Sequence, residues 1–378
     1  MKPLLEHQAC LTRREFFGRS ALGLGAVSLF QRDAFAAEAT HPFDLRPQPW
    51  QRRDEPILSA RTTKESWCKV VCYSPHVVFH EGKFRMWYLG TSTESRSGDT
   101  AMGYAESADG VAWEPHPGNP IFTGKDVGWG DMVQTPFVLF DREEAVFKLW
   151  FVSGKAGLNE QGGSAIYNQH LGYATSGDGI RWKVHPEPLY PSGRSPSVIK
   201  EGPGRYRMWM GSIPAAEQPE FKTHGNIYDA ALYQNIYEFR SSDGIQWKRE
   251  PQPMMRPSGR VNTVVYPFVL NEGGTWYLWH GGHVAGGQFE IFCATSKDGK
   301  TWEANHEEAA FAARTGKTAF DSRYTSIPRV VSAQDRWLLY YSARDWQTDY
   351  IDSEGRKRRD NSSPYSHIGV AVIPKPSR

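Results

Sequence analysis

The sequence predicts an all-β fold, a five-bladed β-propeller, on three observations. One phrase recurs: a Pro and a short apolar strand, an aromatic strand built around Trp, then a Ser-x-Asp-Gly-x-x-Trp turn. The anchoring prolines Pro75, Pro136, Pro196, Pro267 and Pro328 are separated by 61, 60, 71 and 61 residues. Short strands repeating at such a period mark an array of small sheets, each too small to bury its apolar face alone. Finally, 36 Gly, 25 Pro and an aromatic content of 13% suit turn-rich strands that carry large rings.

The chain begins with a segment that does not share the repeat. Thr12-Arg13-Arg14-Glu15-Phe16-Phe17, the apolar run Ala21 to Phe30 and the small-residue site Ala34-Phe35-Ala36 read as a twin-arginine signal peptide over residues 1–37. Its apolar run is far too short for a bilayer span, so export to the periplasm or beyond is expected, with no stable membrane insertion. The remaining 38–378 read as a single domain. The net charge of the whole chain is +2, and the leader carries that much itself. The mature protein is therefore near neutral, which argues against nucleic acid as a partner. The basic run Arg356 to Arg359 is flanked by Asp352, Glu354 and Asp360 and reads as a solvated loop. Of four cysteines, Cys10 leaves with the leader, and Cys68 and Cys72 lie in a segment that looks extended, too far apart to bridge unless the chain turns. No CxxC or His-rich metal pattern occurs, so neither metal nor cofactor is expected. His280-Gly-Gly-His283 alone is a weak half-site, better suited to hydrogen bonding.

The five first halves of the repeat occupy 74–90, 135–154, 195–212, 266–282 and 327–343. Four second halves lie at 103–113, 172–182, 237–247 and 292–302, with a degenerate fifth at 367–374. A further strand precedes each later Pro, at 119–124, 187–193, 252–259 and 307–316, and the same phrase appears near the start as Glu55-Pro56-Ile57-Leu58. That N-terminal strand is expected to complete the fifth blade and to remove two free sheet edges. In the turns, Asp109, Asp178, Asp243 and Asp298 read as caps, with Gly at positive φ and Trp packed between blades.

Function is expected in what breaks the repeat, on the rim formed by the starts of the Pro strands and the ends of the aromatic strands. Asp131, Asn262 and Arg323 each stand five residues before an anchoring Pro. Arg194, Arg344, Asp345 and His283 fall on the same rim, together with Trp129 and Trp346, whose indoles offer flat faces to a sugar ring. Segments 155–170 and 213–235 exceed the length a blade needs and read as site-shaping loops. Glu238 replaces the Tyr, Tyr and Cys of its repeat equivalents, a carboxylate in a strand position.

Over residues 55–374 the blade phrases x-Pro-x-Val…Met-Trp-Tyr and Ala-Thr-Ser-x-Asp-Gly-x-x-Trp and the ending Tyr-Ser…Ile-Gly-Val-Ala resemble the five-bladed propeller glycosidases, the group that includes glycoside hydrolase families 32, 43, 62, 68, 117 and 130. The resemblance implies carboxylates at the starts of the innermost strands, often immediately before the Pro. Here those positions are Ser74, Thr135, Ser195, Tyr266 and Ile327, so no catalytic carboxylate is carried over. The expected function is an exported glycoside hydrolase-like protein acting on an oligo- or polysaccharide. Asp131 and Asp345 would be its acid and base in unassigned order, with Arg194, Arg323, Arg344, Asn262 and His283 binding substrate and Trp129 and Trp346 stacking on it. The alternatives are a non-catalytic carbohydrate-binding propeller and a calcium-dependent phosphohydrolase.

Overall fold

The computed structural model describes residues 41–92, 100–158, 164–213, 235–352, 354–361 and 364–376. Each repeat forms an antiparallel sheet. In the first, Val71–His80 pairs with Lys83–Thr91, then Ala101–Ser107, then Glu114–Pro115. The second runs Gln134–Asp141, Val146–Leu158, Ser164–Ser176 and Lys183–Val184, and the third Arg194–Gly202, Arg205–Gly211, Ile236–Ser241 and Lys248–Arg249. The fourth runs Thr263–Glu272, Thr275–His283, Phe289–Ser296 and Glu303–Ala304. The fifth holds Tyr324–Ser332, Arg336–Arg344 and His367–Pro374, and one parallel pair, Phe289 with Tyr324, joins it to the fourth. First strands of consecutive sheets touch in succession, and 324–332 touches 71–80.

Every first strand is interrupted at its Pro. The register shifts between Tyr73 and His76, Gln134 and Phe137, Arg194 and Ser197, Val265 and Phe268, and Ser326 and Arg329. A Pro has no amide hydrogen to give the ladder, so it sits in a bulge. The residue before each Pro takes the left-handed conformation: Ser74 at φ 53°, Thr135 at 43°, Ser195 at 56°, Tyr266 at 58° and Ile327 at 51°. Four of the side chains one place after the prolines, His76, Phe137, Phe268 and Arg329, gather together. His76 and Phe137 have ring centroids 4.4 Å apart, and the Arg329 guanidinium lies 6.0 Å from the Phe137 ring and 5.6 Å from Phe268.

The turns behave as their chemistry requires. Asp109 Oδ1 accepts from the Val111 and Ala112 amides at 2.8 Å each, and the same pattern holds at Asp178, Asp243 and Asp298. The turn carbonyls also receive donors from the preceding sheet. Trp87 donates to Gly179 O at 2.7 Å, Trp150 to Gly244 O at 2.8 Å, and Arg207 to Gly299 O. Tyr340, in the fifth sheet, donates to Gly110 O in the first at 2.8 Å.

The fifth repeat has no such turn of its own. The N-terminal segment takes that place: Trp50 and Trp279 both donate to Gln48 Oε1, at 2.9 and 3.0 Å, while Phe43 packs edge-on against Trp279 at 4.9 Å. Gln51 and Arg52 pair with Val372 and Ala371, and Leu58 and Ser59 with Ile368 and His367. The other sheets repeat this two-part edge, with a short strand right after the turn Trp and a single bridge further on, such as Met102 to Phe122. The expected outer strands at 119–124 and its counterparts therefore reduce to one bridge each.

Other expectations meet the structure as follows. Much of 155–170 continues the hairpin of the second sheet, with Lys155 opposite Tyr167 and Gly157 opposite Ala165. Residues 214–234 lie outside the described residues. The chain does turn at Ser66–Cys68, bringing Cys68 and Cys72 together as buried free thiols, Cys72 held protonated by its contact with Cys68 and by burial. The basic run forms a hairpin, with Arg356 and Arg358 donating to Asp352 at 2.9 and 3.0 Å. Among the described residues, no helix is long and apolar enough to cross a membrane.

Candidate functional site

Because each first pair of strands is antiparallel, the start of one and the end of the other share an edge, opposite the Ser-x-Asp-Gly turns. Asp131, Asn262 and Arg323 occupy one register on this edge: their amides donate to Gly154 O, His283 O and Arg344 O at 2.9, 2.9 and 3.0 Å. Val70 does the same toward Thr91 O at 3.2 Å. The spacing of five before the Pro is thus a backbone position, not a coincidence of counting.

Five of the expected residues come together at the third, fourth and fifth sheets. Arg194 Nη2 donates to the Tyr266 hydroxyl at 2.8 Å, and its guanidinium lies 5.2 Å from that ring. Phe289 joins the Tyr266, His283 and Tyr324 rings at 5.8, 4.6 and 5.8 Å. Arg323 lies 5.3 Å from Tyr324 and 5.0 Å from Trp346, and Arg344 is 5.8 Å from Tyr324. Trp346 also carries Lys317 at 5.8 Å and donates to Ser322 O at 3.2 Å. His283 is half-buried; burial first, then the charges of Arg194 and Arg323, lower its basicity and keep it neutral at pH 7. Asn262 is exposed beside it.

Trp129, Asp131 and Asp345 have other neighbours. Trp129 stacks on Phe151 at 6.0 Å and packs into the apolar interior of the second sheet. Asp131, with 40% of its side chain exposed, accepts from Lys155 at 3.1 Å and from the Ala156 amide at 2.9 Å. Burial pulls its pKa up, but those two donors outweigh that and hold it below the usual carboxylate value. Asp345 is buried: Arg61 Nη2 donates to it at 2.5 Å, the Gln347 amide at 2.9 Å, and His367 Nε2 stands 3.7 Å away. Here too burial raises the value, and His367, Arg61 and the amide lower it further than burial lifts it. Glu238 is not an open strand acid, because Arg207 grips both its oxygens at 3.0 and 2.8 Å. His280 turns away from His283 and pairs with His306 at 3.1 Å.

Sequence reasoning missed Tyr266, Phe289, Tyr324 and Lys317 as parts of this cluster. Tyr266 was visible as the aromatic exception among the residues before the prolines, whereas Phe289 and Lys317 carry no local signal. Arg61 was equally hidden, since nothing in the repeat places it over Asp345. A separate cavity of about 470 Å³, lined by Asp44, Lys297, Asp298 and Glu303, belongs to the turn edge of the fourth sheet and not to this cluster.

The fold resembles that of glycoside hydrolases of known structure. The catalytic domain of a family 62 α-L-arabinofuranosidase from Coprinopsis cinerea superposes with a TM-score of 0.58 at 14% identity, covering 88% of this chain and 98% of that one. A glycosyl hydrolase from Bacteroides ovatus gives a TM-score of 0.62 at 15% identity, covering 90% and 97%. A structure from family 130, described as mannoside phosphorylases containing glycoside hydrolases that target β-1,2-mannosidic linkages in Candida mannan, gives 0.60 at 14%, covering 87% and 94%. In sequence, an uncharacterized protein of Mycobacterium tuberculosis is 28% identical over 149 residues, 39% of this chain. The match spans 45% of that relative's length. No family model matches the chain.

Proposed function

We propose that the protein is an exported, glycoside hydrolase-like protein acting on an oligo- or polysaccharide. The observation that carries this reading is the gathering of Arg194, Tyr266, His283, Arg323, Tyr324, Arg344 and Trp346 on one edge of a glycosidase fold. Pyranose rings present apolar C–H faces and a girdle of hydroxyls, which aromatic planes beside fixed polar groups match. We read the sheets as five blades of one propeller, completed by the N-terminal segments paired to 367–374. The unbroken succession of first-strand contacts and the Tyr340 bond to Gly110 support that closure. Export rests on the Arg13-Arg14 signal, and we assign the mature chain to the periplasm or the exterior.

For hydrolysis, Asp131 is the carboxylate we assign as base or nucleophile, since it is ionised and partly exposed. Asp345 would act as acid only after releasing Arg61, because a general acid must hold its proton near neutral pH. That same observation favours a second reading, a carbohydrate-binding propeller without turnover. The calcium-dependent phosphohydrolase needs converging acids, and this edge gathers cations instead. Incubating the mature protein with a polysaccharide panel, and assaying both retention and released sugars, separates these readings. Released product lost in Asp131→Asn supports hydrolysis; retention without product supports the binder; neither retention nor product ends the carbohydrate reading.

A further inference from the structure

Among the described residues, Arg207, Lys148 and Arg329 are the most deeply buried cations. Arg207 holds Glu238 and Lys148 holds Asp141, each at 2.8 Å. Arg329 is 1% exposed, yet none of the described acids pairs with it. Its Nε donates to His76 and its Nη1 to Pro328 O, both neutral acceptors, and Nη2 has no hydrogen-bond partner among the described residues. Phe268 and Phe137, 5.6 and 6.0 Å from the guanidinium, stand at the outer limit for a cation held over a ring. Taking a cation out of water is costly, and neutral acceptors offset only part of that cost.

The charge is not lost by deprotonation, because burial lowers the guanidinium only to about 9. Nor do the neighbouring positions supply acceptors. His76, Phe137, Ser197, Phe268 and Arg329 share one register, opposite Trp87, Trp150, Trp209, Trp279 and Tyr340 in their ladders. Ser197 is buried, and its hydroxyl oxygen accepts from the Val269 amide at 3.0 Å, which leaves its proton to give. Two places earlier in their strands, the hydroxyls of Ser74 and Ser195 are buried without a partner among the described residues. This stretch of the first strands therefore carries positive charge and hydrogen-bond donors in excess. The edges of aromatic rings are themselves electropositive and tolerate a negative neighbour.

We propose that Arg329 anchors a small-anion site between the first strands, one that takes a monovalent inorganic ion of halide size, such as chloride. The ion accepts from Nη2 of Arg329 and balances its charge, with Phe137 and Phe268 beside it. One negative charge answers one unpaired positive charge, and a halide makes no directional demand on its donors. An acid group carried on a sugar does not reach a guanidinium so thoroughly covered. The inference is independent of the carbohydrate reading, since it uses none of the residues gathered around Tyr266 and Trp346. It gives the ion a structural part: Arg329 of the fifth sheet already touches side chains of the first, second and fourth, and a bound anion fixes it among them.

The test uses the mature chain in two measurements. Thermal unfolding is followed in sodium chloride, sodium bromide and sodium gluconate at equal ionic strength. Halide at about ten times its Kd favours the folded state about elevenfold, so the parent should melt about 2–4 °C higher in either halide than in gluconate, with a saturable dependence. Arg329→Met should lose that increment. Crystals of the parent grown in bromide, with data collected at the bromine absorption edge, should show an anomalous peak within hydrogen-bonding distance of Arg329 Nη2. This second measurement needs no variant, so it decides the matter even where Arg329→Met fails to fold. Water alone beside Nη2, or an equal halide increment in Arg329→Met, overturns the inference. A bromide peak with no halide dependence in solution is an adventitious ion only and overturns it too.

Discussion

Arg329 donates through Nε to Nδ1 of His76 across 3.2 Å, at the point where the first strands of the five sheets meet. His76 gives its single ring proton, on Nε2, to Val138 O at 2.7 Å, so its ring is neutral. Both side chains are buried, and burial alone brings the guanidinium down to about 9. Arg329 Nη1 donates to Pro328 O at 2.7 Å, while Nη2 has no hydrogen-bond partner among the described residues.

The pair is therefore asymmetric. His76→Phe leaves a buried cation short of an acceptor and should cost about 3 kcal/mol. Arg329→Met removes a donor from two neutral acceptors, the His76 ring nitrogen and the Pro328 carbonyl, and should cost nearer ~1–2 kcal/mol. The double variant should be more stable than His76→Phe alone. Urea titrations with unchanged slope measure all three, and a larger loss for Arg329→Met than for His76→Phe would contradict this account.

A second prediction concerns acid. His280 donates to Gly281 O at 3.1 Å, accepts from His306 Nε2 at 3.1 Å, and His306 accepts from Ser258 at 2.7 Å. This chain of bonds needs both rings neutral. Burial first, and His306 second, bring His280 down to about 3. The unfolded chain then binds more protons than the folded one below the ordinary histidine value of about 6.5, so stability falls as pH falls from there toward 3. Each histidine kept neutral adds a slope of about 1.4 kcal/mol per pH unit. A His280→Phe variant should show a shallower loss between pH 6 and 4 in chemical denaturation, and an unchanged slope would remove His280 from the explanation.

Asp345 distinguishes a structural from a catalytic carboxylate. Because its pKa is lowered, the Arg61 contact stabilises the fold above the unfolded carboxyl value and is lost as pH falls through the folded one. With Arg61 39% exposed, solvent discounts the pair, and Asp345→Asn should cost about 2 kcal/mol. If Asp345→Asn melts like the parent yet loses all turnover, the carboxylate belongs to the chemistry and not to the framework.

The N-terminal segment should be as stabilising as any sheet. Phe43 is fully buried among Trp50, Tyr277, Trp279 and Trp337, and Gln48 takes two indole protons. Phe43→Ala should cost about 3–5 kcal/mol. Gln48→Leu, which strands two buried N–H groups, should cost about 2 kcal/mol. Thermal unfolding of both variants checks this, and melting points unchanged from the parent would deny the segment its role.

Strand identity and turn chemistry were legible because the repeat repeats: Asp109 and its counterparts cap turns as their spacing implies. The register of Asp131, Asn262 and Arg323 was legible for the same reason. Trp50 was not, although Trp50-Gln51-Arg52 plays the part that Trp113-Glu114-Pro115 plays in the first sheet. The fifth copy's turn tryptophan stands at the other end of the sequence, and a linear reading does not join chain ends. The site was legible as a set of rim residues but not as a geometry. Whether Asp345 faces a ligand or Arg61 depends on a contact across 284 residues that no local pattern encodes.

The left-handed residues before the five prolines have a consequence for what this framework can become. Among residues with a side chain, aspartate and asparagine enter that region most readily, and β-branched residues least. Thr135 and Ile327 are therefore the costlier occupants of a backbone site that stereochemically favours an acid, the residue type that the resembling glycosidases often carry there. The five bulges act as sockets whose shape is conserved by the chain itself, independent of what is plugged in. A lineage on this scaffold can gain or lose a strand-start carboxylate by one substitution without rebuilding a strand. The chemistry offered at these five positions can thus change at a single residue while the strands around it stay the same.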